Sequence, residues 1–205
     1  MKITLPENIS EIKLSTFQEY VPLLEIKNKK SFDKKKVSLF TGLSAYQLKG
    51  VSVKDFNEMS AQIDKALEQG CEFKDRFKMH GIEFGFIPNF DKITTAEFVD
   101  LSKYAPSEKD NKTETLNNLM AILFRPITKK SLGNYDIETY NGTGTYGELM
   151  KDTPMHIVNG ALVFFYNLQK ELLTATQTYT REARKRVEQL LTISSNGAGM
   201  QHLKD

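Results

Sequence analysis

Residues 71–90 read "CEFKDRFKMHGIEFGFIPNF", and the reading of this stretch decides the fold. Phe73, Phe77 and Met79 fall at alternate or near-alternate positions, and Ile82, Phe84 and Phe86 repeat the pattern after His80-Gly81. A period of two places one set of side chains on one face of a strand. Two such runs about an X-Gly pair predict a β-hairpin over about 72–87, ended by Pro88-Asn89.

On either side the period becomes helical. Upstream, Ser52-Val-Lys-Asp55 opens a helix with Val53, Phe56, Met59, Ile63, Ala66 and Leu67 on one face and Gly70 at its close. Downstream, Thr94 and Glu97 have capping-box spacing and start a short helix that Pro106 follows. "SEKDNK" at 107–112 reads as a polar loop. From Thr113, "TETLNNLMAILFRP" reads as a helix stopping before Pro126, and "YDIETY" at 135–140 as a strand. Nearer the start, "KITL" predicts a strand broken by Pro6. A helix from about Ser15, with Gln18 at capping-box distance, is interrupted at Pro22. A short helix, "VSLFTGL", ends near Gly42. There is no internal repeat and no alternation of strands with helices of the doubly wound kind. The expected class is α+β: predominantly helical, with a small antiparallel sheet and a long C-terminal helix or helix pair.

That last element starts at Thr153-Pro154 and meets no strong breaker beyond Gly160 until about Thr192. One helix of that length spans about 55 Å at 1.5 Å per residue, longer than a domain of this size. Thr174 to Thr180, rich in threonine, is the expected place for a bend. Ile157, Ala161, Phe164, Phe165, Leu168 and Leu172 make the first part apolar on more than one face. Val187, Leu190 and Leu191 give the second an amphipathic stripe. Protruding amphipathic helices generally pair with another subunit or a groove. The expected organisation is a body over 1–152, a helical segment over 153–194 and a tail over 195–205.

Bulk properties exclude several classes. With 205 residues, 40% hydrophobic and 26% charged, the chain can bury a core and is not expected to be disordered. A net charge of +2 does not suit nucleic-acid binding by the whole surface, so an electrostatic partner must meet a local patch. Cys71 is alone, which excludes an internal disulfide and suits a reducing compartment. "MKITLPENIS" lacks an apolar core of signal-peptide length, and "ALVFFYNL" at 161–168 is too short to span a membrane.

"NGTGTYGE" at 141–148 spells G-x-G-x-x-G through Gly142, Gly144 and Gly147. A dinucleotide loop of that spelling needs a parallel strand before it, a helix directly after it and an acid about 20 residues on. Pro154 limits the helix, and "VFFYNLQK" at 163–170 supplies no acid. The stretch reads as a turn, with a nucleotide-binding enzyme as the remote alternative. His80, His156 and His202 have no second ligand at metal-site spacing, and Cys71 has no catalytic partner in the sequence. Glu97 and Asp100, three apart on a helix, read as a solvated face. No catalytic, cofactor or metal residue is expected.

The lysine-rich stretch at 27–36, "KNKKSFDKKK", carries six lysines against one aspartate. It reads either as a solvated linker between helices or as a contact to phosphate or an acidic neighbour through Lys29, Lys30, Lys34, Lys35 and Lys36. A second basic group, Arg181, Arg184, Lys185 and Arg186, lies beside Leu190 on the terminal segment and offers a second interaction face.

The order of "HGIEFGFIPNFDKITTAEFVDLSKY", "LNNLMAILFRPI", "YDIETYNGT" and "LMKDTPMHIVNGALVFFYNL" resembles small proteins encoded among the morphogenesis genes of tailed bacteriophages, of the Bacteroidetes and crAss-like type. The opening "MKITLPENISEIKLSTFQEY" is similar in style, and together these stretches cover over half of the chain. The resemblance implies a non-enzymatic virion component near the portal, neck or tail or inside the capsid, made in the host cytoplasm. Its partners would be other phage structural proteins and copies of itself, with the lysine run facing DNA or protein and no membrane involved. A tail-assembly chaperone absent from the mature particle is the alternative within the same family. The resemblance carries no enzymatic residues.

Overall fold

The computed structural model describes residues 3–106, 113–168, 170 and 185. "KITL" forms no strand at its described positions: residues 3–6 have no regular structure, and a 3-10 turn, Ile9–Glu11, follows with Asn8 as its cap. Helix α1 (Leu14–Tyr20) begins one residue ahead of the expected Ser15, and no side chain caps it. Gln18, read as the far arm of a capping box, instead donates to the carbonyls of Thr113 and Glu114 and to Asn117 Oδ1 at 3.0–3.1 Å. Pro22 ends the α-helix as expected, inside a 3-10 turn over Val21–Glu25.

Helix α2 (Lys29–Thr41) corrects the linker reading, since residues 29–36 of the lysine run form its first part. Four-residue α3 (Ala45–Leu48) and α4 (Val53–Leu67) follow. Ser52 caps α4 by accepting from the Asp55 amide, as its sequence predicts, although Glu68 rather than Gly70 closes it. Leu14, Val37 and Ile63 are fully buried, and Tyr20 packs edge-on against Phe40 with ring centres 5.6 Å apart. Of the predicted apolar face of α4, Ile63 and Ala66 are buried, whereas Val53 is 79% exposed.

The hairpin forms where the alternation puts it. Strands β1 (Arg76–Met79) and β2 (Ile82–Phe86) pair antiparallel, with Arg76 opposite Gly85 and Met79 opposite Ile82. His80 and Gly81 carry the turn at φ of 50° and 77°, the left-handed pair whose twist matches that of the strands. The first strand starts four residues later than the expected 72, and Cys71, five residues ahead of it, is half-buried. Helix α5 (Thr95–Tyr104) has both arms of its capping box, Glu97 N to Thr94 Oγ1 and Thr94 N to Glu97 Oε2.

Helix α6 (Leu116–Leu123) passes without a linker into β3 (Phe124–Ser131), so Arg125-Pro126 lies in a strand rather than closing a helix. Pro126 sits at the end of the β2–β3 pairing, opposite Phe84, and its carbonyl accepts from Glu138 N at 2.8 Å. Strand β4 (Asn134–Ile137) completes an antiparallel sheet ordered β1-β2-β3-β4. Phe77 stacks on Phe84 at 5.5 Å, and Phe124 meets Phe77 and Phe86 edge-on, each at 5.1 Å. Such pairs contribute about 0.5–1.5 kcal/mol each beyond the area they bury.

Two backbone bonds tie the chain's start to its last described helix: Leu14 N to Thr153 O (2.9 Å) and Met155 N to Ile12 O (2.8 Å). That helix, α7, runs over 155–168, beginning just past the predicted Thr153-Pro154 start. The chain divides into two compact units, Met1–Ala161 and Leu162–Asp205. Within the second, 162–168, Lys170 and Lys185 are helical, and Lys185 is exposed. The expected bend at 174–180, Arg181, Arg184, Arg186, Leu190, the tail at 195–205 and the loop at 107–112 lie outside the described residues.

Candidate functional site

The lysines of α2 do three different things. Its first turn holds no acidic residue, so Lys29 and Lys30 oppose the helix dipole there; both are exposed. The turn is held by Asn28, whose Oδ1 accepts from Ser31 N at 3.0 Å. Lys36 is buried, which corrects its reading as a contact residue. Its Nζ lies 2.6 and 2.7 Å from the Asp64 carboxylate on α4 and 3.7 Å from Asp33. It also lies over the Phe32 ring, 5.3 Å from its centre. Lys36 is therefore an internal strut joining α2 to α4, and burying its charge is tolerable only because that charge is paired.

Lys34 and Lys35 remain exposed, and they edge a groove between α2, α3 and α4. The groove encloses about 410 Å³. Leu48, Val51 and Phe56 make its apolar lining, Lys49 adds a third ammonium, and the exposed Val53 stands at the start of α4. The sequence builds these walls with two sharp reversals. Gly42 ends α2 at φ of 70°, and a capping box between Ser44 and Gln47 turns the chain into α3. No carboxylate lines the groove, and among the described residues none of Lys34, Lys35 and Lys49 makes an ion pair. Three like charges beside an apolar floor produce a positive local potential with nothing in the groove to neutralise it.

The glycine stretch is absorbed into packing. Gly147 N donates to Thr143 O at 2.7 Å, and its carbonyl accepts from Asn117 Nδ2 at 2.9 Å. A side chain at Gly147 would stand 2.6 Å from Asn118 Oδ1, so close approach to α6 accounts for that glycine. The preceding strand is antiparallel to its neighbour, and a 3-10 turn, Leu149–Asp152, follows. The parallel strand and following helix of a dinucleotide loop are thus missing from this place.

Glu97 corrects the reading of its helix face as solvated. It is buried, and Arg125 Nη2 on β3 lies 2.6 Å from its Oε1. Burial alone would raise the Glu97 carboxyl. The hydrogen bonds from Thr94 and the Arg125 charge outweigh this and hold it below its ordinary value. Asp100 accepts from the Tyr140 hydroxyl at 2.5 Å; burial, and then that carboxylate, push the phenol well above its ordinary range. Asp152 lies between Lys13 (2.7 Å) and His80 (2.8 Å), whose hydrogen bonds help to lower it. His156 is half-buried near the start of α7, and desolvation followed by the Lys74 charge lowers its imidazole. Among the described residues no cluster of three His, Cys, Asp or Glu could hold a metal ion, and no helix is long and apolar enough to cross a membrane.

The chain matches no family model, no curated protein and no solved structure.

Of the sequence-derived contact residues, the fold brings Lys34 and Lys35 to the groove, leaves Lys29 and Lys30 exposed one turn earlier, and removes Lys36 to the interior. Val53 and Phe56 are legible only as part of the apolar face of α4, and Leu48, Lys49 and Val51 belong to no predicted element, although the consecutive signals at Gly42, Ser44 and Ser52 mark the turns that fold α3 between its neighbours.

Proposed function

We propose that this protein is a non-enzymatic component of a tailed-phage particle that works through contacts with other proteins. The observation that carries the contact role is the lysine-edged apolar groove between α2 and α4, where three ammonium groups without an ion pair among the described residues flank Leu48, Val51 and Phe56. Such a surface offers a partner both desolvation and positive charge, and the one hydroxyl in its lining, Ser38, is held in a hydrogen bond to the Leu43 carbonyl. The phage setting rests on the sequence resemblance to small morphogenesis proteins. Portal, neck, tail and capsid interior are the sites that this resemblance implies, with several copies in a symmetric arrangement.

A second reading is favoured by the same groove. A tail-assembly chaperone holds the apolar side of a partner helix during assembly and leaves before the particle matures. Mass spectrometry of particles purified through a density gradient, beside the lysate that produced them, separates the two. A structural component is enriched in the particles at a fixed ratio to the capsid protein. A chaperone is abundant in the lysate and missing from the particles. A chain that co-purifies with neither particles nor assembly intermediates contradicts both.

A further inference from the structure

The geometry points to the occupant of this groove: an acidic amphipathic helix of a partner protein, its apolar side against Leu48, Val51 and Phe56 and its carboxylates against Lys34, Lys35 and Lys49. The inference rests on the reading of the chain as a contact protein and deepens it by stating the chemistry of the partner.

Charge complementarity selects the sign. No carboxylate lines the groove, and the three lysines make no ion pair among the described residues, so an incoming anion displaces no partner among them. Of the carboxylates on α4, Asp64 holds Lys36 and Glu58 lies 3.9 Å from Lys54, while Asp55, in the first turn, is not among the groove's lining residues. The chain's own basic stretch around Arg181, Arg184, Lys185 and Arg186 has the wrong sign and would be repelled. A helix supplies both halves of the match, since it carries apolar and charged residues on separate faces. The groove runs between helical walls and encloses about 410 Å³, room for the side chains that a helix presents at i, i+3, i+4 and i+7. Val53, which also lines the groove and is 79% exposed, adds accessible apolar surface to it. Uncompensated lysines at the edge would steer the encounter and fix its direction, while the apolar contacts slow release.

The test uses the full chain, isotopically labelled, and synthetic peptides followed by NMR and fluorescence anisotropy. The probe is a 16-residue amphipathic helix with leucines on one face and glutamates flanking them. A version with lysines for glutamates and a scramble of the acidic peptide serve as controls. The acidic peptide is expected to shift the resonances of α2, α3 and α4 and to lose affinity as salt rises. The surface variant K34E/K35E/K49E should weaken it by about tenfold or more and bind the lysine version in its place. Val53→Asp, also at an exposed position, should weaken both pairings. Circular dichroism melts establish that the variants fold. The inference is overturned if the acidic peptide binds no better than its scramble, or if the triple reversal leaves its affinity unchanged. It is equally overturned if decanoate or a short DNA duplex occupies the groove and the peptide does not. Wild-type chain present in particles without peptide binding defeats this inference alone. Peptide binding by a chain absent from particles and assembly intermediates upholds it and removes the phage reading.

Discussion

Glu97 and Arg125 form a buried ion pair, 2.6 Å between Oε1 and Nη2, that joins the first turn of α5 to the second residue of β3. The same carboxylate also caps its helix through Thr94 N, so one side chain sets where α5 starts and how it meets the sheet. Glu97→Ala leaves the guanidinium buried without its counter-charge. Urea unfolding should show a loss of about 3–5 kcal/mol, whereas replacing both partners by apolar residues of similar volume should cost much less.

Acid should destabilise the fold through the same pair. Glu97, Asp152 and Glu83 all have carboxyl groups held below their ordinary values, Glu83 chiefly by its hydrogen bond from Lys130. A carboxylate with a depressed folded pKa contributes stability that is present above its unfolded pKa, about 4, and lost as pH falls through the folded value. Melting temperature is therefore expected to fall steadily below about pH 5, and Glu97→Gln should flatten that slope.

Lys36 and Asp64 predict an asymmetry. Removing Asp64 leaves the buried ammonium with only the longer contact to Asp33, at 3.7 Å, so Asp64→Ala should cost about 1–3 kcal/mol, while Lys36→Met should be close to neutral. Lys36→Met should also leave binding of the acidic peptide unchanged, because Lys36 does not line the groove. Calorimetry and anisotropy on the same preparations check both statements.

Gly85 tests the sheet. A side chain there would stand 2.4 Å from the Tyr135 ring, whose hydroxyl donates to the carbonyls of Phe86 (3.0 Å) and Asp75 (3.2 Å). Gly85→Ala must displace that ring and should cost about 1–3 kcal/mol in denaturant unfolding. Tyr135→Phe keeps the ring and should lose only about 1 kcal/mol.

The elements legible from sequence were those whose signals are local. The His80-Gly81 turn, the caps at Ser52 and Thr94 and the strand at Tyr135 are written within a few residues of where they act. Strand β3 was hidden because "LNNLMAIL" keeps its helical period to the last residue before the strand, and Pro126 imitates a helix stop. Helix α2 was hidden because its cationic first turn argues against a helix. Asn28 caps it locally, but its fit against α4 is distant in sequence: Asp64, 28 residues on, receives Lys36. The groove combines both kinds of information. Its lysines at 34 and 35 could be read directly, but its depth depends on how α3 folds between α2 and α4.

The most direct measurement is the copy number of this chain in purified phage particles, made with the wild-type protein and with K34E/K35E/K49E, by quantitative mass spectrometry against the capsid protein. A fixed number of copies with the wild type, and a severe loss with the reversed lysines although the variant folds, is the predicted result. Absence of the wild-type chain from the particles, or incorporation of the variant at the wild-type level, contradicts the account.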